Sequence, residues 1–408
     1  MRLVPCPPAP RALPYVVSAM LALAVLVAAG PSAARAATTI HVYPGYNVQA
    51  KIDRASSGTV IILHAGTYSK LRLRSGITLR GAGDGAAVVT GATGSWDAGI
   101  WIKGVSNATV RGLTIRGNRM GIFIRDAPGT LIEDNLIVDN AYGVEVHART
   151  TGSVIRHNVI RENDRRMDAG RRAGGINLFK TYGGVRITGN RIWGNDSVGI
   201  EIFAAKSARI ERNVIAGSAD AIETGTDAGG SCRYNRIVRN VIFNAGKQAE
   251  ERGIWLRCLS QSLVAHNTIY GMDKHAIGVT SSGSFSGPMS DLRILNNALV
   301  KGRGFWISGG LPRTVTIDFN NLRACTTARC PAFGHLVATL GSTNYETVRQ
   351  FRAGTRHMDH GVSVSPGFRH ASGHDFRLWA SSDMIDRGKR LSITYAGTAP
   401  DLGRWEAR

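Results

Sequence analysis

Between residues 112 and 297 a short apolar signature recurs: "GLTI" at Gly112, "NLI" at Asn135, "NVI" at Asn158, "NRI" at Asn190, "NVI" at Asn213 and Asn240, "NTI" at Asn267 and "NAL" at Asn297. The spacings are 23, 23, 32, 23, 27, 27 and 30 residues, a base period of 23 with insertions. A second landmark travels with the first: "GIFI" at Gly121, "GVEV" at Gly143, "GINL" at Gly175, "GIEI" at Gly199, "AIET" at Ala221, "GIWL" at Gly253, "AIGV" at Ala276 and "GFWI" at Gly304. These segments are short, β-branched and alternate in period two, so they are expected to be strands. No repeat sustains a 3.6-residue apolar spacing, which removes helical solenoids. A strand-turn-strand unit this small cannot bury its own apolar face and must stack on its neighbours. Stacking places the Asn of each unit above the next at ~4.8 Å, where the amides can bond from coil to coil. The pattern predicts an all-β fold, a parallel β-solenoid of about ten coils.

The "NxI…GI" repeat resembles that of right-handed parallel β-helix proteins of the pectin-lyase-like superfamily. The entry segment "VQAKIDRASSGTVIILHAGTY", followed by "LRLRSGITLRGAG", is similar to the amphipathic cap helix and first coils of that group. The C-terminal "SPGFRHASGHDFRLWASSDMIDRG…APDLGRWE" resembles the tail common on secreted bacterial members. The resemblance implies right-handedness, and it covers nearly all of residues 38–408. It implies fold far more than activity, because this fold hosts lyases, hydrolases, epimerases and adhesins. The Asp-rich signatures of polygalacturonase-like hydrolases and the Asp-His motif of classical pectate lyases are not found.

Residues 1–36 read as an export signal. Arg2 and Arg11 precede an apolar run from Tyr15 to Ala29, and Ala34-Arg35-Ala36 is a small-x-small cleavage site. A secreted chain starting at Ala37 is expected, with a β-helix over 37–310, a C-terminal capping segment over 311–408, and no membrane association after cleavage. Removing Arg2, Arg11 and Arg35 takes the formal net charge from +21 to +18, a field that attracts polyanions. Without a recognisable nucleic-acid motif in an exported chain, the expected partner is a polysaccharide or cell-wall polymer of anionic character, met by a monomer. Four cysteines remain, an even number for an oxidising compartment, and spacing pairs Cys232 with Cys258 and Cys325 with Cys330.

In Gly-Ile-x-Ile the apolar pair faces inward and x faces out. Down the stack x reads Phe123, Glu145, Asn177, Glu201, Glu223, Trp255, Gly278 and Trp306. Two residues on come Arg125, His147, Phe179, Phe203, Gly225, Arg257, Thr280 and Ser308, with Lys180 directly after Phe179. One face should therefore carry an acidic row flanked by aromatics and bordered by bases. Glu145, Glu201 and Glu223 are candidate calcium ligands, since carboxylates beside an amide oxygen suit that ion. Glu201, Glu223, Lys180, Arg257 and His147 are candidate catalytic groups, and Trp255, Asn177, Phe123 and Arg125 candidate substrate contacts. The insertion "RENDRRMDAGRRAG" just before Asn177 is expected to wall the row.

Three functions fit these residues. The first is a lyase on a uronate-containing polysaccharide, with calcium on the acidic row and Lys180, Arg257 or His147 as base. The second is a glycoside hydrolase using Glu201 and Glu223. The third is a non-catalytic wall-binding or adhesive solenoid.

Overall fold

A computed structural model describes residues 37–164, 174–246, 250–326 and 334–407. Each repeat forms three strands that feed three parallel sheets running the length of the molecule. In one coil Leu131–Glu133 belongs to the first sheet, Leu136–Val138 to the second and Tyr142–Arg149 to the third. Among the described residues the sheets contain 12, 11 and 12 strands. The fold is the expected right-handed parallel β-helix.

The repeat's isoleucines stack in register. In the second sheet Ile137, Ile160, Ile192, Ile215, Ile242 and Ile269 are successive Cα partners, all fully buried. Burying each such side chain contributes about 1.5–3 kcal/mol. Strands of three residues suffice because every inward position of every coil joins the same aliphatic column.

What fixes the corner between the first and second sheets is the asparagine predicted to stack. Asn190 donates from both its backbone N–H and its Nδ2 to Oδ1 of Asn213, each at 3.0 Å, and Nδ2 also donates to the Ile155 carbonyl at 2.9 Å. The pattern repeats from Asn135 through Asn158, Asn190, Asn213, Asn240, Asn267 and Asn297 to Asn320. The residue before each of these is in the left-handed region: Asp134, His157, Arg212, Arg239 and His266 all have φ between 54° and 57°. A non-glycine residue there costs of order 1–3 kcal/mol. The Asn amide bonds and the tight corner offset that cost.

A second ladder, Asn118–Asn140–Asn163–Asn195, turns the second sheet into the third. It lies five residues after the first ladder in each coil, a signal present in the sequence as "NxIxxN" but not extracted from it.

The expected cap helix is Val48–Arg54, with Asn47 as N-cap and Val48 and Ile52 buried over the first coil. At the other end the coils run past the expected boundary at 310, through Thr316–Asp318, Asn321–Arg323 and Ala338–Leu340. Helix Val348–Thr355 then closes the core with Phe351, whose ring lies 6.2 Å from that of Phe305. The chain next turns back along the outside of the stack. Met384 and Leu402 cover Ala298 and Val300, and Leu391 and Ile393 cover Val238, Leu263 and Ala265. This explains why those outward positions are apolar. Cys232 and Cys258 form the expected disulfide, Cα atoms 5.5 Å apart, whereas Cys330 lies outside the described residues. No described helix is long and apolar enough to cross a membrane.

Two predictions follow from this construction. Asn213→Ala removes an acceptor shared by two Asn190 donors and leaves the Ile187 carbonyl without its amide donor. At roughly 1–3 kcal/mol per buried unsatisfied group it should cost about 3 kcal/mol or more in equilibrium urea unfolding. His266 sits beneath the returning tail, hydrogen-bonded to Asn296 at 3.0 Å, and burial, aided by Arg239, lowers its pKa from 6.5 to about 4. The unfolded chain therefore binds that proton more readily than the folded one. Stability is full above pH 6.5 and falls as pH drops toward 4, by about 1.4 kcal/mol per unit. Burial, with Arg303, Arg252 and Lys274 adding to it, lowers His275 in the same sense. His266→Gln should flatten urea midpoints measured across that window.

Candidate functional site

The third sheet carries the rows read from sequence. Phe123, Glu145, Asn177, Glu201, Glu223, Trp255, Gly278 and Trp306 are successive Cα partners on adjacent strands. The neighbouring row is Arg125, His147, Phe179, Phe203 and Gly225. Over the middle coils these rows floor a cavity of about 450 Å³ that brings together Glu145, His147, Asn177, Glu201, Glu223 and Arg257.

Polar groups in the floor are cross-linked. The Asn177 amide donates to Glu145 Oε1 at 2.7 Å, and the His147 ring meets Glu145 Oε2 at 2.8 Å. Arg257 Nη1 donates to Glu223 Oε1 at 2.6 Å, and Nη2 donates to the Ser284 carbonyl. The Arg257 guanidinium also lies over the rings of Trp255 and Phe285, 4.6 and 5.3 Å from their centroids. Beside the polar floor runs an aromatic file: His147, Phe179 and Phe203 at 5.2 Å centroid steps, then Phe285 at 6.0 Å. Phe179 and Phe203 are parallel to within 4° and present an apolar strip of the kind on which sugar rings pack.

Several sequence-predicted roles change on sight of the geometry. Phe123 is buried, with Trp101 4.8 Å and His147 5.1 Å from it, so it supports His147 and offers no face to a substrate. The Trp255 ring is occupied by the guanidiniums of Arg252 and Arg257, and its Nε1 donates to Thr280 at 3.0 Å. It braces Arg257 from outside the cavity. Arg125 faces Asp126 at 3.6 Å, away from the floor. Lys180 stands at the rim, over Phe179 and 2.6 Å from Asp227, and its hydrogen bond holds the Asp227 carboxyl below the ordinary value. Its left-handed φ of 50° is shared by Asp126, Ala148 and Ala204 at the ends of neighbouring strands. The conformation therefore belongs to the fold and is not special to Lys180.

Calcium does not fit the acidic row. Among the described residues no group of three or more His, Cys, Asp and Glu is placed to hold a metal ion. Glu145 and Glu223 are committed to His147, Asn177 and Arg257. Residues 165–173, the core of the expected wall, lie outside the described residues. The wall that is described comes from elsewhere: Phe285, Trp96, Arg119 and Tyr142 also line the cavity. Phe285 belongs to an insertion out of phase with the repeat, so periodicity could not have reached it. The Phe285 backbone and Cβ lie directly over Gly225, within van der Waals contact of where a Cβ would stand.

An extended, aromatic-edged groove on one sheet of a β-helix defines the class of this protein by architecture. The profile of the right-handed β-helix region matches residues 67–215 and 174–348, and the chain belongs to that family. No curated protein sequence matches it. Among solved structures it is similar to the pectate lyase Pel9A, with 18% identity, TM-score 0.60, and coverage of 91% of this chain and 96% of that one. It is similar also to an alginate lyase from Paenibacillus sp. str. FPU-7, with 18% identity, TM-score 0.53, and coverage of 68% and 99%. A third is the Dettilon tailspike protein, with 16% identity, TM-score 0.52, and coverage of 70% and 58%. At these identities the likeness is one of fold.

The Glu223–Arg257 pair is nearly buried, with side chains 4% and 11% exposed. Arg257→Ala leaves a buried carboxylate uncompensated and should cost about 3–5 kcal/mol in denaturant unfolding. The double change Glu223→Gln with Arg257→Met should cost less than the single one.

Proposed function

We propose that this protein is an exported enzyme that cleaves an acidic, uronate-containing polysaccharide lying along the third-sheet groove, by β-elimination. The observation that carries the reading is the convergence of two cations on one coil. Glu223 and Asp227 sit four residues apart; Glu223 holds Arg257 from the next coil, and Asp227 holds Lys180 from two coils before. Arg257 is suited to pair with the uronate carboxylate and to stabilise the charge that builds there as the neighbouring C–H bond breaks. Lys180, at the rim, is the group placed to take that proton. The released electron pair forms the carbon–carbon double bond, and the glycosidic oxygen leaves from the adjacent carbon, taking up a proton from solvent as it departs.

His147, oriented by Glu145, is three coils away from Gly225, ~14 Å at one strand spacing per coil. It therefore serves a neighbouring sugar and not the one at Arg257. The net charge and two similar structures named for lyase activity on acidic glycans support the substrate class. No step is assigned to calcium.

One observation favours hydrolysis as a second reading. Glu201 and Glu223 are direct Cα partners on adjacent strands, hence ~4.8 Å apart in the sheet, near the ~5–5.5 Å carboxyl separation of retaining glycosidases.

The deciding experiment follows unsaturated uronyl ends by ultraviolet absorbance during incubation with polygalacturonate and alginate. Absorbance is expected to rise, to persist with chelator present, and to fall by about 100-fold or more in Lys180→Ala. New reducing ends without that absorbance, lost in Glu201→Gln, would replace elimination by hydrolysis. Silence in both assays would leave a binding solenoid.

A further inference from the structure

We propose that the chain carries a second, non-catalytic site: a cleft between the coil stack and the returning tail that holds an acidic polysaccharide strand. It takes its ligand class from the function proposed above, but it lies on the first sheet, away from the groove on the third.

Three consecutive coils spell "RITGN", "RIERN" and "RIVRN". Arg186, Arg209 and Arg236 are Cα partners in register on adjacent strands. Arg212 and Arg239 occupy the left-handed position, φ 57° and 56°, just before ladder residues Asn213 and Asn240. One coil advances ~4.8 Å, so the guanidiniums form two short rows along the solenoid axis. The tail supplies the opposite bank. Arg404 crosses to donate to the Arg212 and Asn213 carbonyls at 3.2 and 3.5 Å.

Between stack and tail opens a cleft of about 750 Å³ lined by five arginines and Trp405, with Glu406 the one acid. It adjoins a hollow of about 350 Å³ lined by Arg209, Arg236 and one acid, Glu211. Of the five, Arg377 is matched by Asp375 at 2.6 Å, and Arg239 meets Glu406 only at 3.7 Å. The balance is strongly positive.

Two further facts indicate a ligand. Arg239 Nε, Trp405 Nε1 and Glu406 Oε1 are buried polar atoms without a hydrogen-bond partner among the described residues, so the polar groups at the base of the cleft are incompletely satisfied by the protein itself. The arginines also oppose one another: burial and then Arg212 lower Arg404 to about 10, and burial lowers Arg239, with Arg212 adding to the effect and Glu406 opposing it. An anion in the cleft relieves the repulsion among the arginines. Carboxylates repeated once per sugar match cations repeated once per coil, whereas a lone small anion would use only part of the row. A polymer held here and in the groove binds as a bivalent ligand, so the cleft raises the local concentration of long substrate without touching the reacting bond.

The test measures polygalacturonate binding to full-length protein carrying Lys180→Ala, which suppresses turnover, with and without Arg209→Gln, Arg212→Gln and Arg236→Gln. Titration calorimetry at about 50 and 200 mM salt should show the triple change weakening binding at least ~10-fold and flattening its salt dependence. A short oligogalacturonide that spans the groove alone should bind both proteins alike. Arg369→Gln, on the tail side, should reproduce part of the loss, and serves as the test if the triple variant does not fold. Equal affinity in all variants overturns the proposal. Polyphosphate binding as tightly as polygalacturonate, with the same loss, overturns the polysaccharide assignment in favour of phosphate polymers. Because binding is read without turnover, absence of lyase activity leaves the result interpretable.

Discussion

The structure depends on one hydrogen-bonding arrangement: an asparagine whose amide oxygen accepts two bonds from the coil on one side while its amide nitrogen donates to the coil on the other. A parallel solenoid has to turn a sharp corner in the interior, where backbone groups have no water. It must also keep successive corners in register. The Asn side chain does both, since it has one acceptor with two lone pairs and two donors in a fixed plane. Fully buried, such a ladder tolerates no slip by a fraction of a coil, because each amide would then lose partners on both sides.

That register determines what the outer surface can present. Because the inward isoleucines cannot move, the outward side chains of the third sheet stand in straight rows one strand spacing apart. The groove is therefore a set of parallel files, polar and aromatic, and not a pocket closed on all sides. Its carboxylates are paired with Arg257, His147 and Asn177 in ways that orient those groups. This arrangement suits an extended polymer with repeating charge better than a compact ligand. The first sheet uses the same rule to line up Arg186, Arg209 and Arg236.

Much of this was legible in the chain. The 23-residue period, the Asn ladder, both outward rows and the Cys232–Cys258 pairing all follow from spacing and residue type, because each depends on neighbours one coil away, while the cap helix was implied by the family resemblance. What failed were roles that depend on where a side chain's end comes to rest and not on its position in the repeat. Phe123 and Trp255 occupy outward positions, yet one is covered by neighbouring rings and the other by two arginines. Glu145, Glu201 and Glu223 read as a cation site, but their partners come from residues whose side-chain reach periodicity does not give.

The sequence by itself determined the coil and its register, since a hydrophobic period and a buried amide ladder fix how units stack, while the right hand of the coil was implied by the family resemblance. It determined as well which residues face outward. Only the tertiary structure decided which of those remain exposed. The out-of-phase insertion bearing Phe285 folds over Gly225 and Arg257, and the tail doubles back over the stack to Arg212 and Asn213, nearly two hundred residues away in sequence. Contacts of that kind depend on where long loops and the returning chain come to rest on a surface already formed, and no local spacing encodes it.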